Sequence, residues 1–223
     1  MSDTDADLKV ELDGLDFEIQ TARRNLPDYC SRHFNTEREK ALIFCLERAV
    51  GLSEGSILCA KENLLAPIYV LTRGLLESLI WVCWITKSTN NAQAYIDATK
   101  NELKRLARKN LETSHARVVD TDTNVDKSQE LLNSDWVKDI QPRLRIERAA
   151  KDVGLDKLYT QMYGFLSMFA HGIMVETNAS VQEDMVGILA IANVLMECIN
   201  LVVNNWIVAR KQTPIKEIYA ILQ

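Results

Sequence analysis

One segment of the chain, from Ala66 to Ile85, has the length of a membrane span and contains only two charged residues, Arg73 and Glu77. These two residues stand four positions apart, one turn of a helix, near the middle of the segment. A helix that is apolar on all sides is normally buried, and an ionisable pair at its centre is costly in lipid. The segment therefore predicts the central helix of a bundle, in which both charges need polar partners.

The rest of the sequence favours an all-α fold. Only 8 Gly and 4 Pro occur in 223 residues, and apolar residues recur at spacings of three and four. Hairpins and short strands require more breaks than this. We expect a single-domain helical bundle with a long C-terminal helix and a mobile loop near residues 114–134. Its domains are an acidic N-terminal helix in residues 1–30 and the bundle itself in residues 31–223.

Helix boundaries follow from capping residues and prolines. Thr36 and Ser180 each precede a Glu by three residues, the spacing of a capping box, so each opens a long helix. Pro67 fits a first helical turn, which places a helix end near Asn63 just before it. The final helix should reach Lys211. The other predicted helices are Asp7–Arg24, Asn91–Thr113, Trp136–Lys151 and Leu155–His171.

The final helix carries a narrow polar stripe on one side. Its members recur at spacings of four, three and four: Asn193, Glu197, Asn200 and Asn204. One interpretation is a helix buried on three sides and wet on the fourth. The alternative is a polar seam that fixes the register of this helix with another helix, as in a dimer.

A second polar set is predicted to meet the central charges. Tyr163, Ser167 and His171 are spaced i, i+4 and i+8, so they project from one side of a helix. We expect them to contact Arg73 and Glu77 across a helix–helix interface.

This five-residue cluster has two interpretations. In the first it is a buried ion pair, extended by hydrogen bonds, that locks two core helices together. In the second it lines a pocket in which Arg73 holds a phosphate or carboxylate and His171 transfers a proton. Glu77 would then orient one of them, while Tyr163 and Ser167 would donate hydrogen bonds. Phosphodiester cleavage is the reaction that such a set serves most readily.

The residues just named also carry a resemblance. The pattern A-P-x-x-V-L-x-R-x-L-L-E-x-x-x-x-x-x-W-I begins at Ala66, and Y-x-x-x-S-x-x-x-H-G ends at Gly172. Together they resemble a family of uncharacterised bacterial helical proteins known only as a domain of unknown function, over Glu39 to Gly172. The resemblance supplies no reaction. It implies a family feature made of Arg73, Glu77, Tyr163, Ser167 and His171.

A looser similarity is to the HEPN superfamily, small helical bundles common in bacterial toxin and phage-defence systems, many of which are ribonucleases. Their signature is an Arg separated from a His by four to six residues, and Arg108 and His115 have that spacing. The helical core, the polar stripe of the final helix and the lack of a strong catalytic motif favour a helical interaction or regulatory module, and the resemblance implies a bacterial defence or toxin system as its setting. The alternative it implies is a metal-independent ribonuclease that uses the Arg-Glu-Tyr-Ser-His cluster on RNA.

Composition limits the partners and cofactors. A net charge of −5 argues against a general nucleic-acid-coating surface. The loop carboxylates Asp120, Asp122 and Asp126 imitate a calcium loop but lack its glycine and its final Glu, and the three His residues show no zinc spacing. We expect no metal and no cofactor. The five Cys residues form no C-x-x-C pair and the N-terminus has no secretion signal, so we expect a cytoplasmic protein. We also expect it to form a homo-oligomer or to bind a partner protein, and we expect no association with a membrane.

Overall fold

The computed structural model describes residues 3–31, 36–170, 180–209 and 215–221. The predicted all-α fold is confirmed over these ranges, where the nearest approach to a strand is a single bridge between Val119 and Asp126. The helices are α1 Asp3–Ser31, α2 Glu37–Lys61, α3 Leu65–Lys87, α4 Thr89–Glu112, α5 Ser128–Asn133, α6 Asp135–Lys138, α7 Ile146–Asp152, α8 Asp156–Leu158, α9 Gly164–Ala170, α10 Val181–Ile207 and α11 Ile215–Ile221. A π-helical turn, Tyr159–Tyr163, joins α8 to α9.

The chain forms two compact units. One contains residues 1–92 and 146–223, and the other contains residues 93–145. The predicted boundary at residue 30 stays a prediction, although α1 packs against α10 and α2 within the first unit.

Helix α3 is the centre of the first unit, as the opening segment predicted. It packs against α2, α10, α9 and α7, and Leu75, Leu76 and Leu79 have no exposed surface. The approach of α2 is close, because a Cβ added at Gly74 would lie 2.8 Å from the Leu52 side chain. A larger residue at Gly74 would therefore require the Leu52 side chain to move.

Two helices, Leu65–Lys87 and Val181–Ile207, are long and apolar enough to cross a membrane. The protein buries 72% and 56% of their most apolar windows, respectively. Such burial is typical of core helices, which pass the same test of length and composition.

Both predicted N-caps are present. The Ser180 side chain accepts a hydrogen bond from the Glu183 amide, and the Glu183 carboxylate accepts one from the Ser180 amide, which completes a capping box. The hydrogen bond from the Ser180 amide, together with one from the Ser180 hydroxyl, holds the pKa of Glu183 below its ordinary value. The Thr36 hydroxyl caps α2 by accepting a hydrogen bond from the Glu39 amide, and it donates one to the Glu39 carboxylate. Pro67 lies in the first turn of α3, as predicted.

The polar stripe of α10 is divided between protein and solvent. Asn200 donates to the Glu18 carbonyl at 3.0 Å and to the Glu18 carboxylate at 2.7 Å, and the Asn193 amide fills the place that a Cβ at Gly14 would take. Glu197 and Asn204 are exposed. Two residues of the stripe, Asn193 and Asn200, thus contact another helix, and that helix is α1 of the same chain.

We expect Asn200→Ala to lower the free energy of unfolding by about 1–2 kcal/mol, because it removes two bonds to one glutamate, of which one involves a charged group. Chemical denaturation followed by circular dichroism measures this. Glu197→Ala is the matched control on the same helix, since Glu197 is exposed. Equal losses in the two variants would contradict the assignment of the seam to Asn200.

Four sequence predictions need correction. Helix α1 does not end at Arg24 but continues through Pro27 to Ser31. A proline inside a helix costs about 3 kcal/mol, and the packing of the buried Leu15 and Ile19 face offsets that cost.

The predicted helix Trp136–Lys151 is in fact two short helices, α6 and α7. Pro142 lies between them and disfavours the α conformation of the residue before it. The predicted loop 114–134 ends in α5, and the Asp120 carboxylate and a bond from the Lys127 amide to the Val118 carbonyl organise its turn.

The final helix ends at Ile207, short of the predicted Lys211. Residues 210–214 lie outside the described residues, and α11, which follows them, was not predicted.

Candidate functional site

The two charges of α3 form an ion pair with each other. Arg73 Nε lies 3.3 Å from Glu77 Oε1, one helical turn away. The pair is electrostatic rather than a well-aligned hydrogen bond, since the buried Nε–H has no hydrogen-bond partner among the described residues. One carboxylate oxygen of Glu77 is thereby assigned to Arg73.

The other carboxylate oxygen of Glu77 accepts a hydrogen bond from a residue that the sequence analysis missed. Arg48 of α2 donates from Nη2 to Glu77 Oε2 at 3.3 Å. Its signal in the sequence was an arginine set in an apolar helical stretch, FCLERAVG, which resembles the setting of Arg73. Two guanidinium groups therefore share one carboxylate, and the three side chains together carry a net charge of +1.

Tyr163 contacts Arg73, as predicted. Arg73 donates a hydrogen bond to the Tyr163 hydroxyl, and its guanidinium carbon lies 4.5 Å from the centre of the Tyr163 ring. Tyr159 stacks on Tyr163, with ring centres 4.5 Å apart. Burial, together with the nearby Tyr163, raises the pKa of Tyr159.

A π-helical turn makes this arrangement. It widens the helix over Tyr159–Tyr163 by one residue, so that both tyrosines lie beside Arg73. We call Arg48, Arg73, Glu77 and Tyr163 the arginine cluster.

The other two predicted members of the cluster, Ser167 and His171, are not seen to contact Arg73 or Glu77 in the described residues. The Ser167 Oγ atom is buried and makes no hydrogen bond among the described residues, so it does not bond to Arg73 or Glu77. His171 lies outside the described residues, directly after the last residue of α9. The functional roles of all five predicted residues stay predictions.

The arginine cluster is accessible to solvent at one end. The side chains of Arg73 and Glu77 are 24% and 21% exposed, and that of Arg48 is 37% exposed. A sealed ion pair would show nearly none. The cluster is therefore partly exposed, most of all at Arg48.

The family assignment rests on one comparison. A family model described as "Family of unknown function (DUF5677)" matches residues 39–187, about two thirds of the chain. The chain belongs to this family. The DUF5677 region contains the whole arginine cluster as well as Ser167 and His171, in keeping with the resemblance noted over Glu39 to Gly172. No curated protein and no solved structure gives a significant match.

The aromatic side chains of the DUF5677 region pack beside the cluster. Tyr69, one turn before Arg73, stacks on Phe169 with ring centres 3.6 Å apart and ring planes within 3°. Phe165 contacts both rings edge-on. Burial, with a smaller contribution from Asp184, raises the pKa of Tyr69. These rings fix α9 against the half of α3 that carries Arg73.

The other sequence candidates in the DUF5677 region lie at more exposed places than the arginine cluster. In residues 93–145, Arg108 pairs with Glu112 at 2.7 Å, and the exposed His115 ring lies 2.7 Å from the Thr113 hydroxyl. Arg105 and Arg143 both pair with Glu102 in the same unit, which repeats the sharing of one carboxylate by two arginines at a more exposed place, since the Glu102 side chain is 51% exposed.

The loop carboxylates serve as turn caps. Asp120 accepts hydrogen bonds from the Asp122 and Thr123 amides, and Asp126 accepts one from the Ser128 amide. The Thr123 amide and hydroxyl hold the pKa of Asp120 below its ordinary value, and the Ser128 hydroxyl and amide do the same for the pKa of Asp126. Among the residues that the structure describes, no group of three or more His, Cys, Asp or Glu side chains is placed to hold a metal ion.

Proposed function

We propose that this DUF5677 protein is a helical interaction module that binds a small phosphate-bearing molecule at the arginine cluster. The observation that carries the proposal is the pair of guanidinium groups, Arg48 and Arg73, that share the single carboxylate of Glu77 at a site open to solvent. The charge left over is positive, and a phosphate is the anion that two planar guanidinium forks bind best.

The two arginines have different roles in this proposal. Arg73 is held by Glu77 and by both the hydroxyl and the ring of Tyr163, so it is already oriented before a ligand arrives. Arg48 is bound to Glu77 through one nitrogen only. A guanidinium has five N–H donors, so Arg48 keeps most of its donors for a ligand.

A small ligand fits better than a long nucleic acid. The chain has a net charge of −5, and extended nucleic-acid surfaces draw on many clustered cations. The bacterial defence or toxin setting, the cytoplasmic location and a partner protein stay predictions of the sequence, and a module whose partner contact depends on a bound phosphate compound would fit them.

Binding of adenosine 5′-monophosphate, with adenosine as the probe that lacks a phosphate, tests the proposal. We expect wild type to bind the monophosphate and not adenosine, and Arg48→Gln to bind it roughly tenfold more weakly, since a charge-assisted hydrogen bond is worth about 1.5–3 kcal/mol. Arg24→Gln is the matched control, because Arg24 is exposed and, among the described residues, its hydrogen bonds stay within α1. Equal affinities of the three proteins, or no binding by wild type, would overturn the proposal.

Ribonuclease activity is the alternative, and the contact of Arg73 with Tyr163 favours it, because it places a cation beside a hydroxyl that can donate a proton. Incubating single-stranded RNA with wild type, Arg73→Gln and His171→Ala tests it without added metal. Cleavage by wild type that both folded variants lose would establish the nuclease. RNA left intact by wild type would exclude it while leaving the binding proposal standing.

A further inference from the structure

Helix α2 has one exposed ridge with an unusual order of residues. Along it lie Lys40, Phe44, Gly51 and Leu58, followed by Glu62, the cap residue directly after the last turn, and all five are exposed. At 100° per residue these positions fall within about 20° of one line down the helix. Phe44 and Leu58 expose 51% and 64% of their surface, which is high for large apolar side chains.

The neighbouring helices flank this ridge without covering it. On one side Arg48 reaches Glu77 of α3, and Gly55 contacts Leu71 of α3. On the other side Arg23 of α1 pairs with Glu54. The ridge between them is the one strip of α2 that the first unit leaves free over its full length, in the described residues.

The order of residues on the ridge is symmetric about Gly51. Reading outward in each direction, a large apolar residue follows after seven positions and a charged residue after four more. The two apolar residues match each other, and the two charges, Lys40 and Glu62, are opposite in sign. A surface of this kind is complementary to itself when it is turned by 180°.

We propose that this ridge, which we call the α2 ridge, is the interface of a two-fold symmetric dimer in which α2 packs antiparallel against α2 of a second copy. Phe44 of one copy then lies against Leu58 of the other, and Lys40 lies against Glu62 at both ends, about 33 Å apart at 1.5 Å per residue. Lys40 also pairs with Glu37 of its own helix at 3.0 Å, a contact between exposed side chains that contributes little and can be exchanged for Glu62. The charges select a second copy as the occupant, since the antiparallel arrangement joins opposite charges and a parallel one sets like charges together.

Gly51 allows the two helices to approach closely at the symmetry axis. A Cβ added at Gly51 would have no neighbour within 4 Å, so packing inside the chain does not require a glycine there. At a two-fold axis each backbone faces its own copy, and a residue without a side chain lets the flanking Phe44 and Leu58 meet.

The proposed dimer uses the α2 ridge, which is not the surface from which the sequence analysis inferred a homo-oligomer. That surface was the polar stripe of α10, and two of its residues, Asn193 and Asn200, pack against α1. The ridge does not depend on the proposed phosphate site, because none of its five residues belongs to the arginine cluster.

A charge-reversal cycle tests the dimer. Light scattering coupled to size exclusion, over a series of protein concentrations, should show wild type approaching twice the mass of 25.3 kDa. Lys40→Glu and Glu62→Lys should each weaken the dimer roughly tenfold or more, because each sets like charges together at both ends. The double variant should restore it, since the opposite charges are then exchanged and not lost.

An apolar pair of variants separates the ridge from general surface hydrophobicity. Phe44→Ser should dissociate the dimer, whereas Phe17→Ser, on the exposed face of α1, should leave it intact. A wild type that stays monomeric at the highest concentration, a double variant that stays monomeric, or an equal effect of Phe17→Ser would each overturn the proposal. Circular dichroism confirms that every variant is folded.

Discussion

Replacing Glu77 by glutamine is expected to tighten the binding of adenosine 5′-monophosphate roughly tenfold while making the protein less stable. Glu77 is the single carboxylate between Arg48 and Arg73, so its loss raises the charge of the arginine cluster from +1 to +2. Two charges 4 Å apart interact by about 4 kcal/mol near a protein surface. Exposure of the cluster to solvent reduces that figure, which leaves a change of about tenfold.

The stability effect has the opposite sign. Two guanidinium groups lose their partner, which for a fully buried pair costs about 3–5 kcal/mol and for this half-buried cluster less. Glu112→Gln is the matched control, since Arg108 and Glu112 form the same i, i+4 pair at the surface. A purely structural cluster would lose stability on Glu77→Gln without gaining affinity, and that result would contradict the proposed function.

Leu79→Ala should be the most destabilising substitution among those considered. The side chain has no exposed surface and lies in the middle of α3, where deletion of three carbons leaves a cavity. Such substitutions cost about 2–5 kcal/mol, and a loss of roughly 3 kcal/mol lowers the Tm of a protein of this size by about 6–12 °C. Thermal unfolding followed by circular dichroism measures the shift.

Val70→Ala supplies the comparison within the same helix. Val70 is also apolar, but it lies in the exposed part of the first turns of α3, so we expect little change in Tm. If α3 owed its apolar sequence to a lipid environment instead of this core, Leu79→Ala and Val70→Ala would have similar effects in aqueous solution. A similar effect of the two would therefore contradict the buried position of α3.

Local chemistry made much of the fold predictable. The capping box at Ser180 and the cap at Thr36 satisfy free backbone donors from within four residues. The starts of α10 and α2 can therefore be predicted from a few adjacent residues. Pro67 acts in the same local way. The ion pair of Arg73 with Glu77 and the contact with Tyr163 also followed from helical spacing, together with the need of a buried charge for partners.

The features that were missed depend on packing between distant segments. Pro27 should end a helix, yet α1 continues because α10 and α2 bury its apolar face. The π-helical turn at Tyr159–Tyr163 inserts one residue against the 3.6-residue period that all spacing arguments assume. Arg48 lies on another helix, 29 positions before Glu77 in the sequence, and donates a hydrogen bond to it. Rules based on neighbouring residues cannot predict a contact between such distant positions.

The most direct test of the central claim is the order of three affinities. Adenosine 5′-monophosphate is titrated by calorimetry, at one salt concentration, into wild type, Arg48→Gln and Glu77→Gln, each shown to be folded. In the proposed site the two arginines provide the affinity for phosphate and the Glu77 carboxylate lowers it. We therefore expect Glu77→Gln to bind most tightly, wild type less tightly and Arg48→Gln least. Three equal affinities, or both variants weaker than wild type, would contradict it.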